Sequence, residues 1–526
     1  MKSKITSIII TSFPVFLVTV FPILFFCAHN ISELSLVFLR TPLLLSLSIS
    51  FLLTAILYYF VHPLSKTVVL STTIIFIFFS YGHLSQSLTD KLFIPLPGGL
   101  VIGPDKILLP LIFILFIFFS AKVIKSTQNF SPVINFLNIF LFILCLSPLY
   151  TIITIEAHRK NSQLSISSPA TLSSSQLSNL PDVYHIILDG YARNDILSNI
   201  YQYDNSAFTS SLKKMGFYVA TDARTNYFHT YLSLPSTFNM TFLDKLVDQY
   251  GPQPVDGSAA KNMMLHNLVS QKFKSYGYQT INFVSDWEGT NENYPADIVY
   301  RDGRVFKVFG LSILASETNM VFLRTTLLSP LISEVWESAI RQKTLSVFEK
   351  MPDVAYLDGP KYVLAHIMSP HPPYVFQEDG SPVTDPRLVN ADEGIERRPF
   401  YLDQLKFISR QTIVMIQKII SNSRQPPIII LQSDHGPASI FGSRQDWKSH
   451  YSLAALNERS GILYAILLPD KNYQHFSPVI TPVNTYRILF NQYFGENNTI
   501  LPNKTYYTNY DKMYGFSDIT QFITPQ

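Results

Sequence analysis

The sequence has very little cysteine. Only Cys27 and Cys145 occur among its 526 residues, and both lie inside apolar stretches. The C-terminal two thirds of the chain therefore contains none, which excludes disulfide bonds and a cysteine-rich zinc site there. We interpret the two cysteines as small buried residues of apolar helices.

The sequence also lacks a strong charge of one sign. The 40 Lys and Arg residues nearly balance the 37 Asp and Glu residues, which gives a net charge of +3. No basic run is long enough to form an arm that binds nucleic acid. We therefore expect no nucleic-acid partner.

Long apolar runs fill the first third of the chain. A helix that crosses a bilayer needs about 20 mostly apolar residues. Five segments meet this requirement, at about residues 5–28, 43–61, 67–84, 107–124 and 133–155. They hold almost no ionisable residue at mid-depth, where a transporter usually has one. Residues 1–155 are therefore predicted to form a five-span helical bundle that serves as an anchor.

The lysines and arginines in the short loops between the spans predict the orientation of the bundle. One side of the membrane receives Lys2, Lys4, Lys66, Lys122 and Lys125, and the other receives Arg40, Lys91 and Lys106. This modest excess favours a cytoplasmic N-terminus. Five spans then place the C-terminal domain outside the cytoplasm.

The rest of the chain divides into a linker and a folded domain. Residues 156–180 include a serine-rich stretch without helical or strand periodicity, which is typical of a flexible tether. Within residues 181–526, short apolar runs alternate with helical patterns. The apolar runs lie at 183–188, 278–284, 362–367, 427–432 and 462–468, and the helical patterns at 206–215, 263–276, 333–348 and 403–422. This alternation predicts an α/β sandwich whose central, mostly parallel sheet is flanked by helices.

Aspartate and histidine follow three of the predicted strands. Asp189 ends the first, Asp434 and His435 follow a later one, and His366 and His371 accompany a third. Ligand sites of such sheets lie beyond the carboxyl ends of the strands. Carboxylate and imidazole together suit Zn²⁺ or Mn²⁺. The sequence therefore predicts a metal site at this edge, although an Asp-Gly turn is an alternative for Asp189 alone.

A hydroxyl-rich segment, Asn226–Thr237, precedes a predicted helix and contains Thr230 and Ser233. A metal lowers the pKa of a nearby hydroxyl, and a helix N-terminus favours negative charge. Simple N-capping of the helix is the alternative interpretation. The aromatic and polar loop Trp287–Tyr294 is interpreted as an ordinary surface loop, with a wall of the substrate cleft as the alternative.

Taken in order, these segments resemble the alkaline phosphatase superfamily, in its sulfatase-like branch. The overall architecture is similar to that of lipoteichoic acid synthases and lipid A phosphoethanolamine transferases. Thr230, Ser233 and Pro235 match the Thr-x-x-Ser-x-Pro pattern of the latter. The chain departs from those transferases in lacking their disulfides. It also departs from true sulfatases, because Thr237 stands where the Ser-x-Pro-x-Arg motif requires arginine.

The resemblance implies roles for particular residues. It assigns metal binding to Asp189, Thr230, Asp434 and His435, with Thr230 also the nucleophile. His371 lies in a variant of a Ser-His-Gly-Pro segment and is implied as a catalytic histidine. Substrate-side roles are implied for His366, Ser233 and His450, and Ser233 is also the second-choice nucleophile.

The resemblance also implies a function. We expect a membrane-anchored, metal-dependent transferase or hydrolase that moves a phosphoglycerol or phosphoethanolamine group from a phospholipid to a cell-envelope glycan or lipid. The cofactor is expected to be Zn²⁺ or Mn²⁺, with Mg²⁺ and Ca²⁺ as alternatives. The expected partners are membrane lipids and a lipid-linked or glycan substrate. The expected location is a bacterial inner membrane, with the catalytic domain periplasmic or extracellular.

Two other functions stay open from the sequence. One is hydrolysis of a sulfuric or phosphoric ester by a sulfatase-like enzyme. The other is a non-catalytic binding or scaffold role for a sulfatase-like domain.

Overall fold

The structure is a computed structural model. It describes residues 2–31, 37–88, 92, 94–95, 101–160, 180–251, 257–291, 294–301, 317–383, 393–441, 452–509 and 512–523. Residues 161–179 of the predicted linker 156–180 lie outside the described residues, and so does His450. The chain forms two compact units. The helical unit is Met1–Leu164 with Lys307–Trp336, and the sheet unit is Ser165–Phe306 with Glu337–Gln526.

Five long helices form most of the helical unit: α1 Lys2–His29, α2 Val37–Phe60, α3 Leu64–Leu88, α4 Pro104–Lys125 and α5 Ser131–Lys160. All five are long and apolar enough to cross a membrane, which confirms the predicted bundle of five apolar helices. The short strands β1 (Ile94–Pro95) and β2 (Val101–Ile102) pair between α3 and α4. Hydrogen bonds between helices join Thr19 to Ser50 and Asn138 to the carbonyl of Ile10.

A segment from the C-terminal part of the chain packs among these helices. It contains α12 (Glu317–Arg324) and the beginning of α13 (Ser329–Lys350). The Phe322 ring lies 5.2 Å from that of Phe26. The amide of Gly82 donates to the carbonyl of Thr325 at 3.0 Å. A Cβ at Gly82 would lie 2.0 Å from the Arg324 carbonyl oxygen, so the contact requires glycine at this position. The sequence had suggested no such segment within 181–526.

The other helices, including the rest of α13, belong to the sheet unit. They are α6 Asn194–Asn199, α7 Ser206–Lys214, α8 Thr230–Asn239, α9 Asp244–Tyr250, α10 Ser258–Leu265, α11 Leu268–Ser275, α14 Arg398–Asn422, α15 Leu453–Ser460 and α16 Thr485–Phe494. The helix predicted over 263–276 is two helices, α10 and α11. The helix is interrupted between them because Asn267 is the N-cap of α11, where its side chain accepts a hydrogen bond from the Ser270 amide.

The strands of this unit are β3 Val183–Leu188, β4 Tyr218–Val219, β5 Gln279–Phe283, β6 Ile298–Tyr300, β7 Lys361–Ile367, β8 Ile428–Gln432, β9 Tyr464–Leu467, β10 Tyr506–Asn509 and β11 Lys512–Asp518. Strands β10 and β11 form a separate antiparallel pair. The other seven form one sheet in the order β4-β9-β8-β3-β7-β5-β6. Strand β9 pairs antiparallel with both of its neighbours, and the other pairs are parallel. The predicted α/β fold with a mostly parallel sheet is confirmed.

Strand β3 lies at the centre of the sheet, and helices pack against it. Val183 and Ile187 of β3 pack in one buried cluster with Phe238, Phe273 and Tyr486 of the helices α8, α11 and α16. Every residue of β3 is buried, so both faces of the sheet are covered. Three neighbouring parallel strands, β8, β3 and β7, therefore present their carboxyl ends at one edge.

Candidate metal centre

The carboxyl ends of β3 and β8 carry the predicted metal ligands. Ile187 of β3 is in register with Gln432 of β8. The next residues along the two strands therefore bring Asp189 and Asp434 to the same edge. The Gly190 amide donates to Asp434 Oδ1 at 3.4 Å. The side chains of Asp189 and Asp434 are almost completely buried.

Thr230 is the first residue of α8 and points at this pair of strand ends. Its Oγ1 donates to Asp434 Oδ2 at 2.7 Å and lies 3.2 Å from His435 Nε2. Because Thr230 is at the helix N-terminus, negative charge on its oxygen would be stabilised by the helix dipole. The side chain is half-buried, whereas the ligand residues behind it are closed off from solvent.

Two histidines present one ring nitrogen each to the centre. His435 Nδ1 lies 3.0 Å from the Gly436 carbonyl oxygen, and His371 Nδ1 lies 2.7 Å from that of Pro372. A carbonyl oxygen only accepts, so both Nδ1 atoms donate. In the neutral rings this leaves each Nε2 with a lone pair, which is the arrangement of a metal-binding or proton-accepting imidazole.

The arrangement fits a divalent metal. Asp189 Oδ1 is buried and has no hydrogen-bond partner among the described residues, and such an atom is costly without a ligand. It lies 3.5 Å from His435 Nε2. Two groups of three residues could hold an ion, with ligand atoms within 4.8 Å of one another: Asp189, His371 and His435, and Asp189, His366 and Asp434. Both groups share Asp189.

The buried carboxylates of the centre also favour a bound cation. Burial and the nearby charge of Asp189 raise the pKa of Asp434. Burial acts in the same direction on Asp189, but the surrounding imidazoles outweigh it and hold the pKa of Asp189 well below its usual range. Burial and the Arg459 guanidinium hold the pKa of His435 far below its usual value. A metal between the carboxylates would favour ionisation of both of them.

Ser233 and His366 do not face the open side of the centre. The Ser233 hydroxyl is completely buried and donates to the backbone carbonyl of Asp434 at 2.7 Å. Thr225 Oγ1 donates to the same carbonyl at 2.5 Å. The His366 side chain is 0% exposed and lies behind Asp189, with Nε2 3.2 Å from Asp189 Oδ2.

Two residues that support the centre could not be predicted from the sequence. Arg459, at the end of α15, donates from Nη1 to the Gly436 carbonyl and from Nε to the Phe228 carbonyl. The Tyr401 hydroxyl of α14 donates to the Gly190 carbonyl. These residues hold the backbone of the two strand ends. They come from distant parts of the chain, and no local pattern marks them.

No family model and no curated protein matches this chain. Solved structures do. The C-terminal periplasmic domain of EcEptC from Escherichia coli is 14% identical, with a TM-score of 0.39, covering 67% of this chain and 96% of that one. The integral membrane phosphoethanolamine transferase EptA from Neisseria meningitidis is 12% identical, with a TM-score of 0.36 and 89% of each chain covered.

A phosphonate monoester hydrolase of Agrobacterium radiobacter is also similar. It is 12% identical, with a TM-score of 0.38, covering 62% of this chain and 80% of that one. The similar structures thus include transferases of the kind that the sequence resembles. They are likenesses of fold with TM-scores below 0.5, so the activity of this chain is inferred from its own residues.

Proposed function

We propose that this chain is a membrane-anchored, metal-dependent phosphoryl-group transferase with Thr230 as its nucleophile. One observation carries the proposal. The Thr230 hydroxyl, at a helix N-terminus, lies 2.7 Å from Asp434 Oδ2 and 3.2 Å from His435 Nε2. A structural cap has no need of a carboxylate and an imidazole beside it, whereas an activated nucleophile does.

The metal would be held by Asp189, Asp434, His435 and Thr230, with Zn²⁺ or Mn²⁺ favoured by this mixed oxygen and nitrogen set. When bound, it lowers the pKa of the threonine hydroxyl and neutralises charge on the phosphoryl oxygens. The buried and unpartnered Asp189 Oδ1 supports this assignment.

The residues of the chain then carry the group transfer. Thr230 Oγ1 enters the cycle as an alkoxide, its proton already released to solvent, and attacks the phosphorus of a phosphodiester while the bond from phosphorus to the departing alcohol oxygen breaks. The departing oxygen takes the Nε2 proton of His371, which enters the cycle with both ring nitrogens protonated and keeps its Nδ1 contact with Pro372. An acceptor hydroxyl gives a proton back to His371 and attacks the phosphothreonine, which restores Thr230.

The membrane anchor supports a lipid donor. The five apolar helices belong to the same chain as the centre, so the enzyme and a phospholipid donor would share one bilayer. We propose transfer of phosphoethanolamine or phosphoglycerol to a cell-envelope glycan or lipid. We further propose that the chain lies in a bacterial inner membrane with the centre on the periplasmic or extracellular side.

Sulfatase-type hydrolysis at Ser233 is not favoured. Its hydroxyl is completely buried and engaged with the Asp434 carbonyl. A nucleophile in that position would first have to leave this hydrogen bond and become accessible.

The test uses the purified full-length chain in lipid nanodiscs that contain a fluorescent phosphatidylethanolamine. We expect the wild type to release fluorescent diacylglycerol when Mn²⁺ or Zn²⁺ is present. Thr230→Ala and Asp434→Asn should each reduce the rate by at least about 10³-fold, because the nucleophile or its support is lost. Undiminished cleavage by both variants would contradict the proposal.

A further inference from the structure

We infer that Thr290 is a positioning residue for the metal centre, acting through His366 on Asp189. The inference rests on the metal site of the proposed function, and it assigns His366 a supporting role in place of a substrate contact. It concerns a loop that follows β5 and contributes no ligand of its own.

This loop, residues 285–290, is closed by its own hydrogen bonds. The Ser285 amide donates to the Thr290 carbonyl at 3.2 Å, and the Thr290 amide donates to the Trp287 carbonyl at 3.0 Å. A Cβ at Gly289 would lie 2.0 Å from the Trp287 ring, so the turn is compact only with glycine there. Thr290 is completely buried, which corrects the interpretation of this segment as an ordinary surface loop.

Three side chains connect the loop to Asp189. Ser285 Oγ lies 2.7 Å from Thr290 Oγ1, and Thr290 Oγ1 lies 3.1 Å from His366 Nδ1. His366 Nε2 lies 3.2 Å from Asp189 Oδ2. The Trp287 ring meets the His366 ring edge-on, with centroids 5.6 Å apart, and restricts its rotation.

The direction of the hydrogen bonds follows from Asp189. A carboxylate that binds a metal is ionised and only accepts, so His366 Nε2 donates to Oδ2. The neutral ring then has its lone pair on Nδ1, and the Thr290 hydroxyl donates to it. Ser285 in turn donates to Thr290. The Thr290 hydroxyl thereby selects the tautomer of His366 that can hold Asp189.

This arrangement divides the two oxygens of Asp189 between two tasks. Oδ2 is fixed by His366, and Oδ1 is left without a partner among the described residues, 3.5 Å from His435 Nε2. Supporting partners of this kind orient metal ligands, and their loss typically weakens metal binding about 10- to 100-fold. His366 is 0% exposed, so it acts from behind the ligand and not on a substrate.

The experiment measures the Zn²⁺ affinity of the full-length chain in detergent, by competition with a chromogenic chelator after metal removal. Thr290→Val keeps the shape of the side chain and removes the hydroxyl, so we expect about 10- to 100-fold weaker binding. Thr290→Ser keeps the hydroxyl and should bind Zn²⁺ as the wild type does. Thr412→Val is the matched control, since Thr412 is equally buried and its hydroxyl donates, among the described residues, to the Ile408 carbonyl within α14.

The outcomes separate this inference from the proposed function. A wild type that binds no Zn²⁺ would contradict the metal site itself. If the wild type binds Zn²⁺ tightly and Thr290→Val and Thr412→Val change the affinity equally, the role of Thr290 alone would be overturned. If Thr290→Val does not fold, Thr290→Ala removes the same hydroxyl without a steric addition and decides the matter by the same comparison.

Discussion

The two units place their apolar side chains in opposite ways. At the middle of α4, Ile114 is 63% exposed, whereas Ile428 to Leu431 of β8 are completely buried. The helical unit thus turns many of its apolar side chains outward, as a protein surrounded by hydrocarbon does, and the sheet unit buries most of its own, as a protein in water does. Among the described residues, the clusters that could hold a metal lie in the sheet unit. The difference assigns anchoring to one unit and chemistry to the other.

The largest effect that we expect is a loss of stability of the sheet unit in acid, which the helical unit should not share. The buried His185 of β3 contacts the Tyr486 hydroxyl, and burial lowers its pKa from 6.5 to about 3. The unfolded chain therefore takes up a proton that the folded chain refuses, so stability falls as the pH drops from about 6.5 towards 3. The loss reaches about 5 kcal/mol by linkage.

Thermal unfolding of the full-length chain as a function of pH tests this expectation. The melting temperature of the wild type should fall towards that of His185→Gln, or below it, as the pH decreases through this range. Parallel curves for the two proteins would show that His185 is not an acid-sensitive group of the sheet unit.

A matched pair of substitutions tests the opposite surroundings of the two units. Ile114→Asp should cost about 3 kcal/mol, because a carboxylate is placed at the centre of a span. Ile500→Asp, at a residue of the sheet unit that is 51% exposed, should change stability by less than about 0.5 kcal/mol. The yield of membrane-inserted protein and its melting temperature measure the two effects. Equal effects would break the comparison.

A smaller effect separates two neighbouring hydroxyls within the sheet unit. Ser233→Ala removes one of the two hydroxyl donors to the Asp434 carbonyl and should cost about 1 kcal/mol. Transfer activity should persist, because Thr230 is untouched. Thr230→Ala should do the reverse, with activity lost and the melting temperature nearly unchanged. Loss of covalent labelling by the donor in Ser233→Ala alone would instead identify Ser233 as the nucleophile.

Hydropathy predicted the helical unit well because the signal is local. The predicted span 107–124 is helix Pro104–Lys125, and the others agree to a similar extent. The α12 segment was not predicted, because its few apolar residues resemble those of any globular helix. Its place among the spans depends on contacts such as that of Phe322 with Phe26, which no local pattern encodes.

The sequence predicted the centre in part. Asp189, Asp434 and His435 come together because β3 and β8 are neighbouring parallel strands, and Thr230 joins them at the N-terminus of α8. The residues that hydrogen-bond to these ligands and position them could not be predicted from the sequence. Thr290 and His366 are 76 residues apart, and only the fold brings them into contact.

The most direct test of the account is the metal content of the purified full-length chain, measured by elemental analysis after removal of loosely bound ions. The account predicts at least about one Zn or Mn ion per wild-type chain. It predicts almost none in the double variant Asp189→Asn with Asp434→Asn, whose melting temperature should no longer respond to added metal. A wild type without metal, or equal metal in both proteins, would contradict a metal centre at these strand ends.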